Sequence, residues 1–233
     1  MTPQFQEELE SAPSVVSWSS KPSTYDPWDP YDLPEVPEDL VIDRWSIVSQ
    51  GTHGQIRRVE THKGAKSRVL CLKLFTEEWK DMYEHERDAY TLMLHRGVRC
   101  CIPGIYFAQE CPRWKFDGLQ PDTYAVGQRD EILYGLFMEY FEDCQEIVLR
   151  RGTLRLAEIL AQTLEIIHEA GVIHNDIAER NILLVREAGK VRVVWIDFSC
   201  AWVGRQFQGT RPIEWNCFTS FLFKRMVRDI YEE

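Results

Sequence analysis

Gly171-Val172-Ile173-His174-Asn175-Asp176-Ile177-Ala178-Glu179-Arg180-Asn181-Ile182-Leu183-Leu184 sets an aspartate and an asparagine, five residues apart, in a polar segment between two apolar runs. Sixteen residues beyond Asn181 stands Asp197, closing the apolar run Val193-Val194-Trp195-Ile196. A carboxylate at the end of such a run is costly to bury without a cation or several donors. Either acid alone is an ordinary turn or cap residue. The ordered pair, flanked by apolar residues on both sides, is poorly explained as two unrelated turn acids.

Working outward, Leu156, Ile159, Leu160, Thr163, Leu164 and Ile167 repeat at helical spacing ahead of the loop. Thr153 is placed to cap that helix and Gly171 to end it. After the loop, a hairpin is predicted from Asn181 to Phe198 through Glu187-Ala188-Gly189, and Phe218, Phe221, Leu222, Met226 and Ile230 suggest a last helix. Toward the amino terminus, Val41–Val48, Gln55–Glu60 and Arg68–Phe75 read as an antiparallel meander, with Lys63-Gly64-Ala65-Lys66 as the second turn. A helix over 77–94 follows, with Trp79, Met82, Tyr83, Tyr90 and Met93 on one stripe, then strand-like segments at Ile105–Ala108 and Tyr134–Phe141.

Two charged residues break these patterns in the same sense. Lys73 falls on a strand face with Val69, Cys71 and Phe75, and Glu86 falls on the helix stripe among Met82, Tyr83 and Tyr90. Each needs an opposite charge, so each is the other's natural partner. Glu84 is the rival carboxylate but points away from the stripe. Ser49-Gln50-Gly51-Thr52-His53-Gly54-Gln55-Ile56 lies between two strand candidates, where glycines let backbone amides fold over an anion.

In this order the segments resemble the protein-kinase superfamily over roughly residues 41–200. The loop at 174–181 is similar to the catalytic loop, Asp197-Phe198-Ser199 to the Asp-Phe-Gly metal motif, 49–56 to the glycine-rich loop, and Leu136-Phe137-Met138-Glu139-Tyr140-Phe141 to the hinge. The resemblance implies an α+β, two-lobed kinase-like fold: an antiparallel sheet plus one helix over 41–142, and a truncated, mainly helical lobe over 143–233.

It further implies ATP and Mg2+ as cofactors. Asp176 would accept or orient the acceptor's proton, Asn181 and Asp197 would hold magnesium, and Lys73 with Glu86 would anchor phosphate. Val48, Gly51, Gly54, Ile56, Cys71 and Leu183 would border the nucleotide, and backbone groups near Glu139 and Phe141 would meet the adenine edge. Asn175 stands where many kinases carry arginine, Ser199 where they carry glycine, and Ala178 with Arg180 matches the tyrosine-kinase spelling of the loop. Thirty-six residues follow Asp197, without an Ala-Pro-Glu-like segment. The implied activity is transfer of the γ-phosphate to a hydroxyl acceptor, nominally on protein. The alternatives are a small-molecule kinase of aminoglycoside or choline-kinase type and a nucleotide-binding pseudokinase acting as an interaction module.

Composition narrows the setting. The chain has 233 residues, 44% of them hydrophobic, and a formal charge of −10, which disfavours nucleic acid or an acidic membrane surface as partner. Residues 1–40 hold seven of the eleven prolines and nine acids against the single base Lys21, so they carry −8 of that charge and read as a disordered or loosely draped arm. The seven cysteines form no Cys-x-x-Cys. Cys71 and Cys200 lie in apolar runs that suggest buried, reduced thiols, and the adjacent Cys100 and Cys101 suit neither a disulfide framework nor zinc. A cytoplasmic or nuclear location is expected, with a protein partner or homodimer accommodated through the short second lobe.

Overall fold

The computed structural model describes residues 33–51, 54–117, 131–149, 154–187, 190–204 and 210–226. They form a mixed α+β chain whose largest sheet is antiparallel, with strand order β1-β2-β3-β5-β4. These strands are β1 (Val41–Gln50), β2 (Gln55–Lys63), β3 (Lys66–Thr76), β4 (Ile105–Pro112) and β5 (Ile132–Glu139). Among the described residues there are three sixteen-residue helices, α1 (Lys80–His95), α3 (Leu154–Glu169) and α4 (Arg211–Met226), and a five-residue helix α2 (Arg113–Asp117). The described residues of Asp32–Arg87 and Gly104–Tyr140 make one compact unit, and those of Asp88–Pro103 and Phe141–Glu233 the other.

In the first unit the alternation of β3 separates two environments. Leu70, Leu72 and Leu74 enter a cluster with Val59, Cys111, Phe116, Leu133 and Phe137. The opposite face carries Cys71, Lys73 and Phe75, and the Phe75 ring meets Tyr83 of α1 at 5.9 Å. The helix therefore covers the face that holds the lysine. A 3-10 turn, Glu77–Trp79, precedes α1, so the helix starts three residues later than the periodicity predicts.

The cluster side holds a feature that the sequence pattern hid. Arg57 of β2 is buried, and its Nη1 lies 2.5 Å from Asp117 Oδ1. Trp45 stacks on the guanidinium at 4.0 Å and donates its indole N–H to the Asp117 carbonyl at 3.0 Å. The short α2, absent from the sequence reading, supplies both Asp117 and Phe116. Gly135 makes room for that ring, since a Cβ there would sit 2.5 Å from Phe116 Cε1. Of the arm read as residues 1–40, residues 33–40 are described and lie on this unit: Leu33 is buried, and Ala108 donates its N–H to Pro34 at 3.1 Å. Residues 1–32 lie outside the described residues.

In the second unit α3 buries Leu156, Ile159, Leu160, Thr163, Leu164 and Ile167, together with His168. Burying each aliphatic side chain contributes about 1.5–3 kcal/mol, which outweighs the weak intrinsic preference of the isoleucines for helix. Gly171, at φ +85°, ends the helix in the left-handed conformation that glycine adopts without strain. The expected cap, Thr153, falls outside the described residues. The hairpin is formed by β8 (Ile182–Glu187) and β9 (Lys190–Trp195), with β6 (Cys144–Glu146) added at its edge. The two-residue strands β7 (Val172–Ile173) and β10 (Trp202–Val203) pair across the loop. Helix α4 begins seven residues before Phe218, the first residue of the predicted stripe, and Ile230 of that stripe is not among the described residues.

Candidate active site

Lys73 Nζ donates to Glu86 Oε2 at 2.6 Å, with 11% and 1% of the two side chains exposed. The register of β3 aims the lysine at α1, and the helical period puts Glu86 on the same stripe as the buried Tyr83 and Tyr90. Phe75 completes the surround, its ring 5.1 Å from the ammonium. A pair this buried needs good geometry to offset its desolvation, and a short charge-assisted bond provides that.

Between β1 and β2, Gly51 donates its N–H to the Gly54 carbonyl at 3.0 Å; Thr52 and His53 lie outside the described residues. The second glycine has a packing reason of its own. A Cβ on Gly54 would stand 2.2 Å from the Leu74 carbonyl oxygen, whereas one on Gly51 would make only an ordinary contact, 4.0 Å from the Gly54 carbonyl oxygen. Val48 is exposed on the edge strand, and Ile56 and Cys71 are half-buried. Cys71 and Cys200 are thus not the fully buried thiols expected from their apolar runs; both are half-buried, and none of the seven cysteines is in a disulfide. Glu139 grips Gly104 twice: its N–H donates to the Gly104 carbonyl at 2.7 Å, and its carboxylate accepts from the Gly104 N–H at 3.0 Å. That backbone N–H is therefore already committed within the fold.

The second unit holds Asp176, Asn181, Asp197, Leu183 and Phe141. Asn181 is buried, and its Nδ2 donates to both the Asp176 carbonyl at 2.8 Å and Asp176 Oδ2 at 2.9 Å. With the amide nitrogen so used, Oδ1 is the end turned away from Asp176. Arg180 Nη2 adds bonds of 3.0 and 2.7 Å to the two oxygens of Asp176. The Asn181 carbonyl accepts the N–H of Ile196 at 3.0 Å, which ties the asparagine to the residue preceding Asp197. Ser199 Oγ donates to Asp197 Oδ1 at 2.6 Å, so the serine orients the aspartate directly. Leu183, on the strand after the loop, is half-buried, with Ile182 and Leu184 turned into the core. The Phe141 carbonyl accepts from Cys144 Sγ at 3.5 Å, and Arg192 lies 5.3 Å over its ring.

Asn175 and Asp197, at φ 61° and 62°, are the non-glycine residues with left-handed backbone among those described. Such conformations cost of order 1–3 kcal/mol and persist where surrounding bonds over-determine them. Here the bonds are visible. Asn175 Nδ2 donates to the Cys200 carbonyl at 3.2 Å, and the N–H groups of His174 (3.1 Å) and Asn175 both donate to the Glu214 carboxylate. His168 Nε2 meets the same carboxylate at 2.6 Å. Glu214 is buried on the first turn of α4 and was not singled out from the sequence. The signal was present: Glu214 is four residues before Phe218 and shares its stripe, the same pattern that exposed Glu86.

His174 is fully buried. Its ring lies 4.5 Å from Phe198 and 5.6 Å from Trp195, its Nε2 donates to the Ile196 carbonyl at 3.1 Å, and its Nδ1 accepts the Asp176 N–H at 3.4 Å. Both ring nitrogens are thereby used by the neutral form. Burial holds the pKa below the ordinary 6.5, against the raising effect of Glu214 and the Ile196 carbonyl. With the folded value depressed, the unfolded chain binds the extra proton, so stability is full above 6.5 and falls as pH drops below it. The unfolding free energy from urea titrations should decline between pH 7 and 5.5 with a slope approaching about 1.4 kcal/mol per pH unit. A His174→Gln variant should be less stable at pH 7 and lose that part of the slope; an unchanged slope would remove His174 from the account.

The donor set suits magnesium on chemical grounds. That ion prefers hard oxygens and is commonly held by one or two side chains plus phosphate and water, which is what an asparagine oxygen and an aspartate carboxylate offer. Among the described residues no group of three His, Cys, Asp or Glu side chains is placed to hold a metal by itself. No family model matches the chain, and no curated protein is significantly similar to it.

Proposed function

We propose that the chain is an ATP- and magnesium-dependent phosphotransferase with a protein-kinase-like, two-lobed fold, moving the γ-phosphate to a hydroxyl acceptor, nominally on protein. One observation carries this reading. The two strained, non-glycine backbones, Asn175 and Asp197, bracket a network that fixes Asp176 and Asn181 in defined orientations. A stored conformational cost of this kind at two acid-bearing loops is characteristic of a site that must present oxygens in a set geometry.

The residue roles follow from their bonds. Lys73, held by Glu86, would meet phosphate oxygens as a fixed cation. The Asp176 carboxylate, steadied by Arg180 and Asn181, would orient the acceptor hydroxyl and take its proton. Magnesium, held by Asn181 Oδ1 and the Asp197 carboxylate, would neutralise charge on the phosphates. Ser199 and the Asn181–Ile196 bond keep Asp197 aligned.

Thermal melting with ATP and magnesium, paired with a turnover assay, tests the reading. Nucleotide should raise the midpoint of both wild type and Asp176→Ala, because a ligand that binds only the folded chain stabilises it. Turnover should fall about 10²-fold in the variant, the lower end for loss of a general base. Equal turnover in both would remove Asp176 from its role. Stabilisation without turnover in wild type, against generic protein substrates and a metabolite pool alike, would make the chain a nucleotide-binding interaction module instead.

A further inference from the structure

We propose that Cys100 and Cys101 are a reversible redox pair: hydrogen peroxide oxidises Cys100, Cys101 closes a disulfide onto it, and the closure releases the backbone of β9 at Trp195. The pair occupies the bend after α1, and none of the other five cysteines has a cysteine neighbour in sequence. The two thiols differ in setting. Cys100 is half-buried, whereas Cys101 is fully buried with its Sγ donating to the Thr163 carbonyl at 3.8 Å. Arg192 reaches the same bend, its Nη1 3.5 Å from the Ile102 carbonyl.

Those settings divide the chemistry. The Cys101 thiol proton, shared between the Cys100 sulfur and the Thr163 carbonyl, and the backbone N–H groups of Cys100 and Arg99, helped by the charge of Arg192, outweigh burial and bring the Cys100 thiol from 9 down to about 7. The same bond and its own burial push the Cys101 thiol up. A thiol titrating near ambient pH is the better attacking nucleophile, so Cys100 reacts first and Cys101 resolves it. The Cys100 thiolate attacks one peroxide oxygen, the O–O bond breaks, and hydroxide leaves to become water, giving a sulfenic acid. Cys101 then loses its proton, its sulfur attacks Cys100 sulfur, the S–O bond breaks and a second water departs. Two thiols and one peroxide become one disulfide and two waters, with the peroxide reduced by two electrons.

Adjacent α-carbons stand about 3.8 Å apart across a trans peptide, closer than the 4.4 Å or more that disulfides usually span. The ring therefore closes only if the backbone of both cysteines turns, and the product is a strained, readily reduced disulfide of the kind found in switches. That is why such a pair makes a poor framework and a serviceable sensor. Turning Cys101 moves its carbonyl, which accepts the Trp195 N–H at 2.8 Å. Trp195 is the last residue of β9, two before Asp197. The proposal is independent of what the Asp197 loop binds, because its readouts are mass and amide exchange.

The test treats the intact, reduced chain with hydrogen peroxide, alkylates free thiols, and digests with trypsin and chymotrypsin to separate Cys100–Tyr106 from Cys111. The expected peptide is unalkylated, lighter by two hydrogens, and restored by dithiothreitol. The Trp195 amide should exchange about tenfold faster in the oxidised chain and at the reduced rate in Cys100→Ser treated identically. Alkylation of both thiols after peroxide, or a sulfinic acid at Cys100 with Cys101 still alkylated, would overturn the pair. A disulfide with unchanged Trp195 exchange would overturn its coupling to β9.

Discussion

Asp197→Ala should lower ATP turnover on the order of 10³-fold, the cost of removing a preorganised charge from a reacting centre, while the variant stays folded. The expectation follows from where the carboxylate stands. Its backbone is held left-handed at φ 62°, with Ser199 donating to Oδ1 and Ile196 tied to Asn181. Alanine at this φ is strained as well, so the variant should melt a few degrees lower. Asp197→Asn separates the two effects, since it keeps the shape and the Ser199 contact and tolerates the left-handed region, yet removes the charge. Both variants should lose turnover, and only the alanine variant should lose stability. Full activity in Asp197→Asn would exclude the carboxylate as the ligand of a cation.

Glu214→Ala carries the largest expected cost in stability, on the order of 3 kcal/mol or more, because hydrogen bonds to a buried charged group contribute about 1.5–3 kcal/mol. Three donors lose their acceptor together: the His168 ring and the backbone N–H groups of His174 and Asn175. The loop that carries Asp176 loses the bonds that hold Asn175 left-handed, so turnover should fall with stability. Glu214→Gln discriminates, as its single carbonyl oxygen can serve some of those donors and should restore part of the melting temperature. Unchanged exchange of the His174 and Asn175 amides in Glu214→Ala would show that the loop is held by other means.

The Lys73–Glu86 ion pair is legible because charged residues interrupt simple periods. Lys73 breaks a strand and Glu86 breaks a helix stripe, so two patterns of different period pointed to one ion pair, and Lys73 and Glu86 do meet at 2.6 Å. The apolar positions of α3 were equally plain, since a sixteen-residue amphipathic helix repeats its signal over four turns. What stayed hidden depends on contacts distant in sequence. Arg57 and Asp117 are sixty residues apart, and neither sits in a pattern that sequence alone marks as buried. The sequence pattern suggests Gly54 as clearance for an anion, while the Leu74 carbonyl beside it supplies a reason in packing. Glu214 stays hidden because the apolar stripe of the last helix becomes legible only at Phe218, about two turns after the helix begins. Short ladders such as β7 with β10 have two residues per strand and leave no periodic trace.

The bond from Ile196 to Asn181 closes the β8–β9 hairpin at its open end, with the ladder pairing Ile182 to Trp195 and running out to Glu187 and Lys190. The chain therefore measures the spacing of Asn181 and Asp197 by counting rungs. Adding or deleting a single residue within either strand would slip the count and turn every later side chain to the wrong face, whereas insertions at the far tip, between Glu187 and Lys190, leave the count intact. Descendants of this sequence are free to vary in length at one end of the hairpin and bound to a fixed tally at the other.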